Sequence, residues 1–490
     1  MGSVGIIAVL VVYLVILLLI GAWGSRDSGT VKGYFVAGKQ LPSWVVAFSS
    51  NATGESAWLL LGLTGMGYTV GIHALWIVMG EVLGVALGWA VVALPLKEYT
   101  DRYDSITVPD YLESRLRDSG HVIRVLSAII IFTMVSAYTA AQLTASGKAF
   151  ASFLDTSYTA GVLIGAAVIL YYTTVGGFKA VAYSDLLQGV LMFGSLLVLP
   201  IVGLVAAGGW MPVVSALRAA DPVLLEPMGV HGLTLAGVIS AASFMGIGLA
   251  FLGAPQLLTR FMAARDREAL VDGGMIAVLC VIVFDVGAVL AGMSGRVLFP
   301  GLADPETILP TMTRALLPPV LTGVFLVTVL AAIMSTVDSL LILASSAIVR
   351  DVVQTIWHPE LTERQLSRYA KMTTVTIGAV ALAFALTEVR VIFWFVLFAW
   401  SGLASAFTPV VLCTLFWART TRAGVAAGMV AGFLTAVIWV VAFKAGFHDL
   451  YEMLPGFAAG FAATVVVSLM TEPPPGAAEE MADIHATVRS

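Results

Sequence analysis

The chain has 490 residues, 59% of them hydrophobic and only 11% charged, with a formal net charge of −5. Soluble domains carry about 25% charged residues, so a soluble globular fold is excluded, and the lack of a long basic stripe excludes a nucleic-acid surface. The two cysteines, Cys280 and Cys413, lie in apolar runs without CxxC spacing, which argues against disulfides and against a cysteine metal site.

Apolar runs near twenty residues recur along the chain, each long enough to cross a hydrocarbon core of roughly 30 Å. They predict an all-α polytopic membrane protein. An outer-membrane barrel would need short alternating segments instead. Thirteen spans are expected, at 4–23, 42–71, 73–96, 121–150, 156–178, 184–209, 233–257, 271–295, 315–347, 372–389, 391–415, 423–443 and 454–470. The first lacks the charged flank and cleavage pattern of a signal peptide and reads as a retained span. With the N-terminus outside, 19 of the 25 basic residues fall on the inside. Only Lys148, Arg218, Arg296, Arg314, Arg390 and Lys444 lie outside, a strong positive-inside bias. An odd span count then places the C-terminus inside, and the PPPG-led tail, 471–490, reads as flexible.

In the second span the stretch SSNATGESAW, 49–58, sets small and polar residues between WVVAF and LLLGL. Gly54 tolerates unwound backbone, and an unwound turn at 52–55 frees carbonyl oxygens that suit a cation. Such a break is tolerated only where it lines protein or a cavity. Helix packing through small residues explains Ala52, Gly54 and Ala57, but it leaves Glu55 unexplained. The NAT sequon lies inside this span and carries no glycosylation meaning. Glu81 and Asp285 also interrupt apolar runs, and the sequence assigns neither a task.

Asp185 opens the sixth span beside Ser184, as an interfacial N-cap or as a cation-coupling group. The seventh span has Gly246, Gly248 and Gly253 followed by Pro255, the pattern of a kinked helix. Phe244 and Phe251 are candidates to line a cavity there, and Arg260 and Arg265 read as its cytoplasmic exit. In the ninth span, AAIMSTVDSLLILASSAIV, Ser335 and Ser339 share a helix face, with Thr336 and Asp338 beside them. Such oxygen ligands suit a hard cation, although hydroxyls also bond back to their own helix. An intramembrane aspartate is costly and usually functional.

No GxxxxGK[ST] loop, HExxH motif, nucleophile elbow or histidine cluster is present. The chain therefore reads as a cation-binding helical protein without its own fuel, and not as an enzyme. Secondary transport fits that description, and a channel is the physical rival, although repeated filter loops are not evident.

Five blocks carry a resemblance: TGESAWLLLGLTG at 53–65, TVPDYLESRL at 107–116, YTTVGGFKAVAYSDLLQ at 172–188, GAPQLLTRFMAARD at 253–266 and AAIMSTVDSLLILASSAIVRD at 331–351. Together they resemble the sodium:solute symporter family, and within it the bacterial sodium/proline branch. The resemblance implies a LeuT-like fold of thirteen helices with two inverted five-helix repeats, at 42–209 and 233–415. A first helix and loop at 1–41 and two helices at 416–470 would be peripheral. It also implies Na+ as coupling ion, with a small organic solute and the lipid bilayer as partners and no required protein partner. Its sodium pattern falls on the backbone oxygens of Ala52, Glu55 and Ala332 and the hydroxyls of Ser335 and Thr336. Asp185, Asp338 and Ser339 match positions tied to a second cation or to coupling. Trp58 and Tyr138 match solute-facing positions.

This chain departs from proline carriers at Gly54 and Glu55, where they carry aspartate and methionine. Ile247 and Phe251 stand where they carry tryptophan and tyrosine, and Ala254 where they carry glutamine. The expected function is sodium-coupled import of proline or a related amino acid by alternating access. The alternatives are a short carboxylate or sugar as solute, proton coupling through Glu55 or Asp338, or a channel or solute sensor.

Overall fold

The computed structural model describes residues 2–26, 28–387 and 392–489. The helices that matter here are α1 (Gly2–Gly24), α2 (Ser43–Ala57), α3 (Leu75–Leu87), α4 (Val122–Leu154), α5 (Tyr158–Ala206), α6 (Leu235–Gly246) and α7 (Pro255–Ala263). They are followed by α8 (Arg267–Leu298), α9 (Pro319–Ser346), α10 (Glu363–Ala385), α11 (Ile392–Phe416), α12 (Arg422–Ile438), α13 (Met453–Met470) and α14 (Ala477–Arg489). An all-helical build follows from composition, because lipid offers backbone groups no partner and a helix satisfies them internally. In α1 the residues Ile6, Leu10, Tyr13 and Leu17 are buried while Val4, Ile7, Val11 and Leu19 are exposed. The buried set repeats at three and four residues, one helical stripe packed on the protein with the other face left for lipid.

Among the described residues, ten helical stretches are long and apolar enough to cross a membrane, against the thirteen expected. Two of them, Ser43–Arg102 and Tyr158–Ala206, each contain two of the expected spans. At about 1.5 Å per residue the 60 residues of the first would run ~90 Å as one rod. The chain turns instead at Gly71, at φ 60°. The second is interrupted at Gly177, at φ 64°, a conformation that costs glycine little. The expected span at 372–389 corresponds to α10, which is not among the ten. That span's last residues, Arg390 and the start of α11's expected span fall in 388–391, outside the described residues.

The core centres on α9, where Phe325 through Ser346 are all buried between α1, α2, α4 and α5. Close approach elsewhere depends on glycine. A β-carbon on Gly80, Gly84 or Gly88 would sit 2.3, 2.1 and 2.8 Å from the carbonyl oxygens of Met245, Gly248 and Phe251. This one-face stripe on α3 and its extension lets the irregular backbone after α6 lie directly against it. The tail is not free chain. It forms α14, with Ile484 and Met481 buried, Tyr103 donating to Glu480 at 2.6 Å and Arg102 paired with Asp483. Apolar side chains at 481 and 484 give this short segment a face to bury, which its proline-led opening obscures.

Candidate functional site

The break in the second span lies at Ser56, with φ 47° and ψ −166°, one residue beyond the expected 52–55. Residues 43–55 stay helical, and after the break the chain widens into a π turn over Trp58–Leu63. A left-handed serine inside a membrane helix is strained, at a cost of order 1–3 kcal/mol, and needs surrounding support. Gln142 of α4 supplies it. Its Oε1 accepts from Ala57 N at 3.1 Å, and its Nε2 donates to Ser56 Oγ at 3.2 Å. Tyr138 OH adds a 3.3 Å bond to the same Oγ.

Four of the five expected sodium ligands converge. Ser335 Oγ lies 2.8 Å from Ala52 O and 3.1 Å from Ala332 O. Thr336 Oγ1 lies 3.1 Å from Ala332 O and 3.3 Å from Thr53 O. Each hydroxyl has one proton for two carbonyls, so this buried knot between α2 and α9 has more acceptor than donor capacity, which suits a small hard cation. The Glu55 carbonyl accepts from Trp58 N–H and from neither of these hydroxyls.

The expected second-cation group is placed differently. Asp185 is not an N-cap: it sits inside α5 and is wholly buried. Arg260, expected at the cytoplasmic exit, does not reach solvent. Its guanidinium is buried, 3.1 Å from Asp185, 2.8 Å from Thr53 Oγ1, bonded to Ser339 Oγ, and lies over the Phe178 ring. A tethered cation therefore stands between Asp185 and Ser339. Asp338 does not touch it directly: one carboxylate oxygen accepts from Tyr172 OH at 2.7 Å and the other from Ser339 Oγ at 3.2 Å. Only the short α7, started by Pro255 after the Gly253–Ala254 break, lets Arg260 reach inward.

The expected solute residues do meet. Trp58 Nε1 donates to Gly54 O at 3.3 Å, and Phe251 stands edge-on to Trp400 with centroids 5.4 Å apart. Trp400 also meets Tyr138 at 6.3 Å and donates to Ile247 O at 3.2 Å. All of these side chains are buried, so they pack as a closed aromatic cluster. A cavity of about 270 Å³ lined by His73, Phe244, Ile247, Trp394 and Tyr451 approaches it from one side. Gln142 and Trp400 were missed from sequence. A glutamine within AYTAAQLTA was the available signal, whereas a tryptophan in an apolar run gives none.

The sequence also left Glu55, Glu81 and Asp285 unconnected. The structure brings the three together, wholly buried, with one oxygen from each within 4.8 Å of the others.

The sodium:solute symporter family model matches residues 34–432. The chain belongs to the sodium:solute symporter family. It is similar to the high-affinity proline transporter PutP of Bacillus subtilis, 34% identical over 464 residues that cover 94% of this chain and 96% of the relative. It is also similar to the osmoregulated proline transporter OpuE of the same organism, 31% identical over 96% of each chain. A sodium/proline symporter of Staphylococcus aureus is 32% identical over 94% of this chain and 92% of its own. Its fold is that of a sodium-coupled sialic acid symporter solved in a substrate-bound outward-open state, with a TM-score of 0.81, 19% identity, and coverage of 96% and 98%. Mhp1, a nucleobase-cation-symport-1 transporter, is more distant at a TM-score of 0.56 and 12% identity, covering 92% of this chain and 98% of its own. As a symporter of this family with a LeuT-like fold, the chain is a multi-pass cell-membrane protein that couples Na+ to movement of a small organic solute, and is a transporter, not an enzyme.

Proposed function

We propose that this symporter imports proline or a related amino acid together with sodium, by alternating access. The observation that carries the reading is the placement of the α2–α9 oxygen knot beside the buried aromatic cluster of Trp58, Tyr138, Phe251 and Trp400. One helix, α2, serves both, so sodium that draws Ala52 and Ser335 together also fixes the break at Ser56 and the side chains it presents. The three sequence relatives named above, each a proline transporter, supply the solute class.

In this reading the chain crosses the membrane thirteen times, N-terminus outside, as two inverted repeats at 42–209 and 233–415 flanked by peripheral helices. Sodium and solute enter from the side of the His73–Trp394 cavity. The inside-negative potential adds about 2.3 kcal/mol per charge per 100 mV. The cluster of Arg260 with Asp185, Thr53 and Ser339 holds the inner side shut until the loaded site rearranges.

Gly54, Ile247 and Phe251 favour a second reading, a solute other than proline, because they pack into this aromatic cluster and depart from the proline-carrier pattern. A sodium-dependent binding screen across amino acids, short carboxylates and sugars separates the two. Proline or a close analogue competing best in sodium supports the proposal, and a sugar or carboxylate doing so replaces it.

A further inference from the structure

We infer that Glu55, Glu81 and Asp285 form a metal-cation site separate from the Ala52–Ser335–Thr336 knot, taking one hard cation through carboxylate oxygens. The three come from α2, α3 and α8, and each is 0% exposed. None of their six carboxylate oxygens accepts a hydrogen bond from a residue outside the cluster, and no described lysine, arginine or histidine pairs with them.

That lack of partners sets the three apart from the other buried acids. Asp185 has Arg260 and Ser49, Asp338 has Tyr172, Asp351 has Arg124 and Thr107, and Glu452 has Lys444. Buried carboxylates are normally paired, hydrogen-bonded or bound to metal, and here no group outside the cluster pairs with them or donates to them. Three convergent carboxylates without a donor among them are acceptor-only when ionised, the ligand chemistry of hard cations.

The spacing fits one ion. Carboxylate oxygens bind calcium at about 2.3–2.6 Å, so two on the same ion lie no more than about 5 Å apart. The three oxygens here fall within 4.8 Å of one another. A divalent ion leaves one net negative charge on the three carboxylates and sodium leaves two, so the charge balance favours the divalent ion. Full burial of all three excludes a bulky organic ammonium. Glu55 is one helical turn from Ala52 on α2, so an ion here would tie α2 to α3 and α8 directly behind the sodium knot.

The test uses the full-length chain, purified in detergent, stripped with chelator and transferred to metal-free choline buffer. Calcium, magnesium and manganese are added singly and bound metal is counted by mass spectrometry, and sodium is counted with 22Na+. About one divalent ion per chain, lost in E81Q/D285N, supports the site as divalent. A sodium count near two in wild type and near one in E81Q/D285N supports it as a second sodium site. Wild-type protein that binds no divalent ion and only one sodium overturns the inference, as does a divalent ion or a second sodium that persists in E81Q/D285N. Should the double variant fail to run as a single gel-filtration species, the wild-type counts and the single variant E81Q decide by the same criteria.

Discussion

Ser335→Ala removes the hydroxyl that bridges α9 to Ala52 O at 2.8 Å. Without sodium, the loss is a neutral hydrogen bond, a net of about 0.5–1.5 kcal/mol. With sodium bound, the same oxygen is a ligand to a full charge, and contacts to charged groups are worth about 1.5–3 kcal/mol. The difference, about 1–1.5 kcal/mol, corresponds to roughly a five- to tenfold loss of sodium affinity at 1.4 kcal/mol per decade. Uptake by proteoliposomes at clamped potential, titrated with sodium, should show the half-saturating concentration rising by that factor while the rate at saturating sodium stays within a few-fold. Thr336→Ala should act alike, and the double variant should fall short of additivity because both hydroxyls share Ala332 O. An unchanged half-saturating concentration with a reduced maximal rate would refute the reasoning and make Ser335 a packing hydroxyl.

Gly54→Ala would place a β-carbon 2.8 Å from Phe251 Cε1, an overpacking of about 1–3 kcal/mol; solute KM should rise at least fivefold with sodium half-saturation unchanged. Arg260→Ala leaves Asp185 buried without its cation, a loss of about 3–5 kcal/mol. Its thermal midpoint in detergent should drop sharply and recover in part in R260A/D185N. Glu480→Gln weakens the anchor of α14, since Glu480 accepts from Tyr103 at 2.6 Å and is the carboxylate nearest the buried Arg115. Limited proteolysis should then release the tail at protease levels that leave wild type intact.

Some of this was legible because it is written in local pattern. The stripe of Ile6, Leu10, Tyr13 and Leu17 follows from helical period alone, and Ser335 and Thr336 stand out as hydroxyls in an apolar run. The SSNATGESAW interruption marked α2 correctly, but its break fell at Ser56 because a backbone angle held by Gln142, from another helix, has no local signature. Arg260 was misread for a related reason. An arginine at the end of an apolar run normally snorkels to the interface, and only the break before Pro255 turns it inward. The Glu55–Glu81–Asp285 cluster joins three segments whose contact is purely tertiary, so each acid reads alone as an oddity. The prolines of the tail suggest loose chain, while Met481 and Ile484, spaced for one helix face, bury it as a helix.

The central claim, sodium-driven solute import, is tested most directly by uptake of radiolabelled proline and the best competitors from the binding screen into proteoliposomes. An inward sodium gradient should drive accumulation above equilibrium, and replacing sodium with choline should abolish it. Equal uptake in choline, with no proton gradient imposed, would contradict the account.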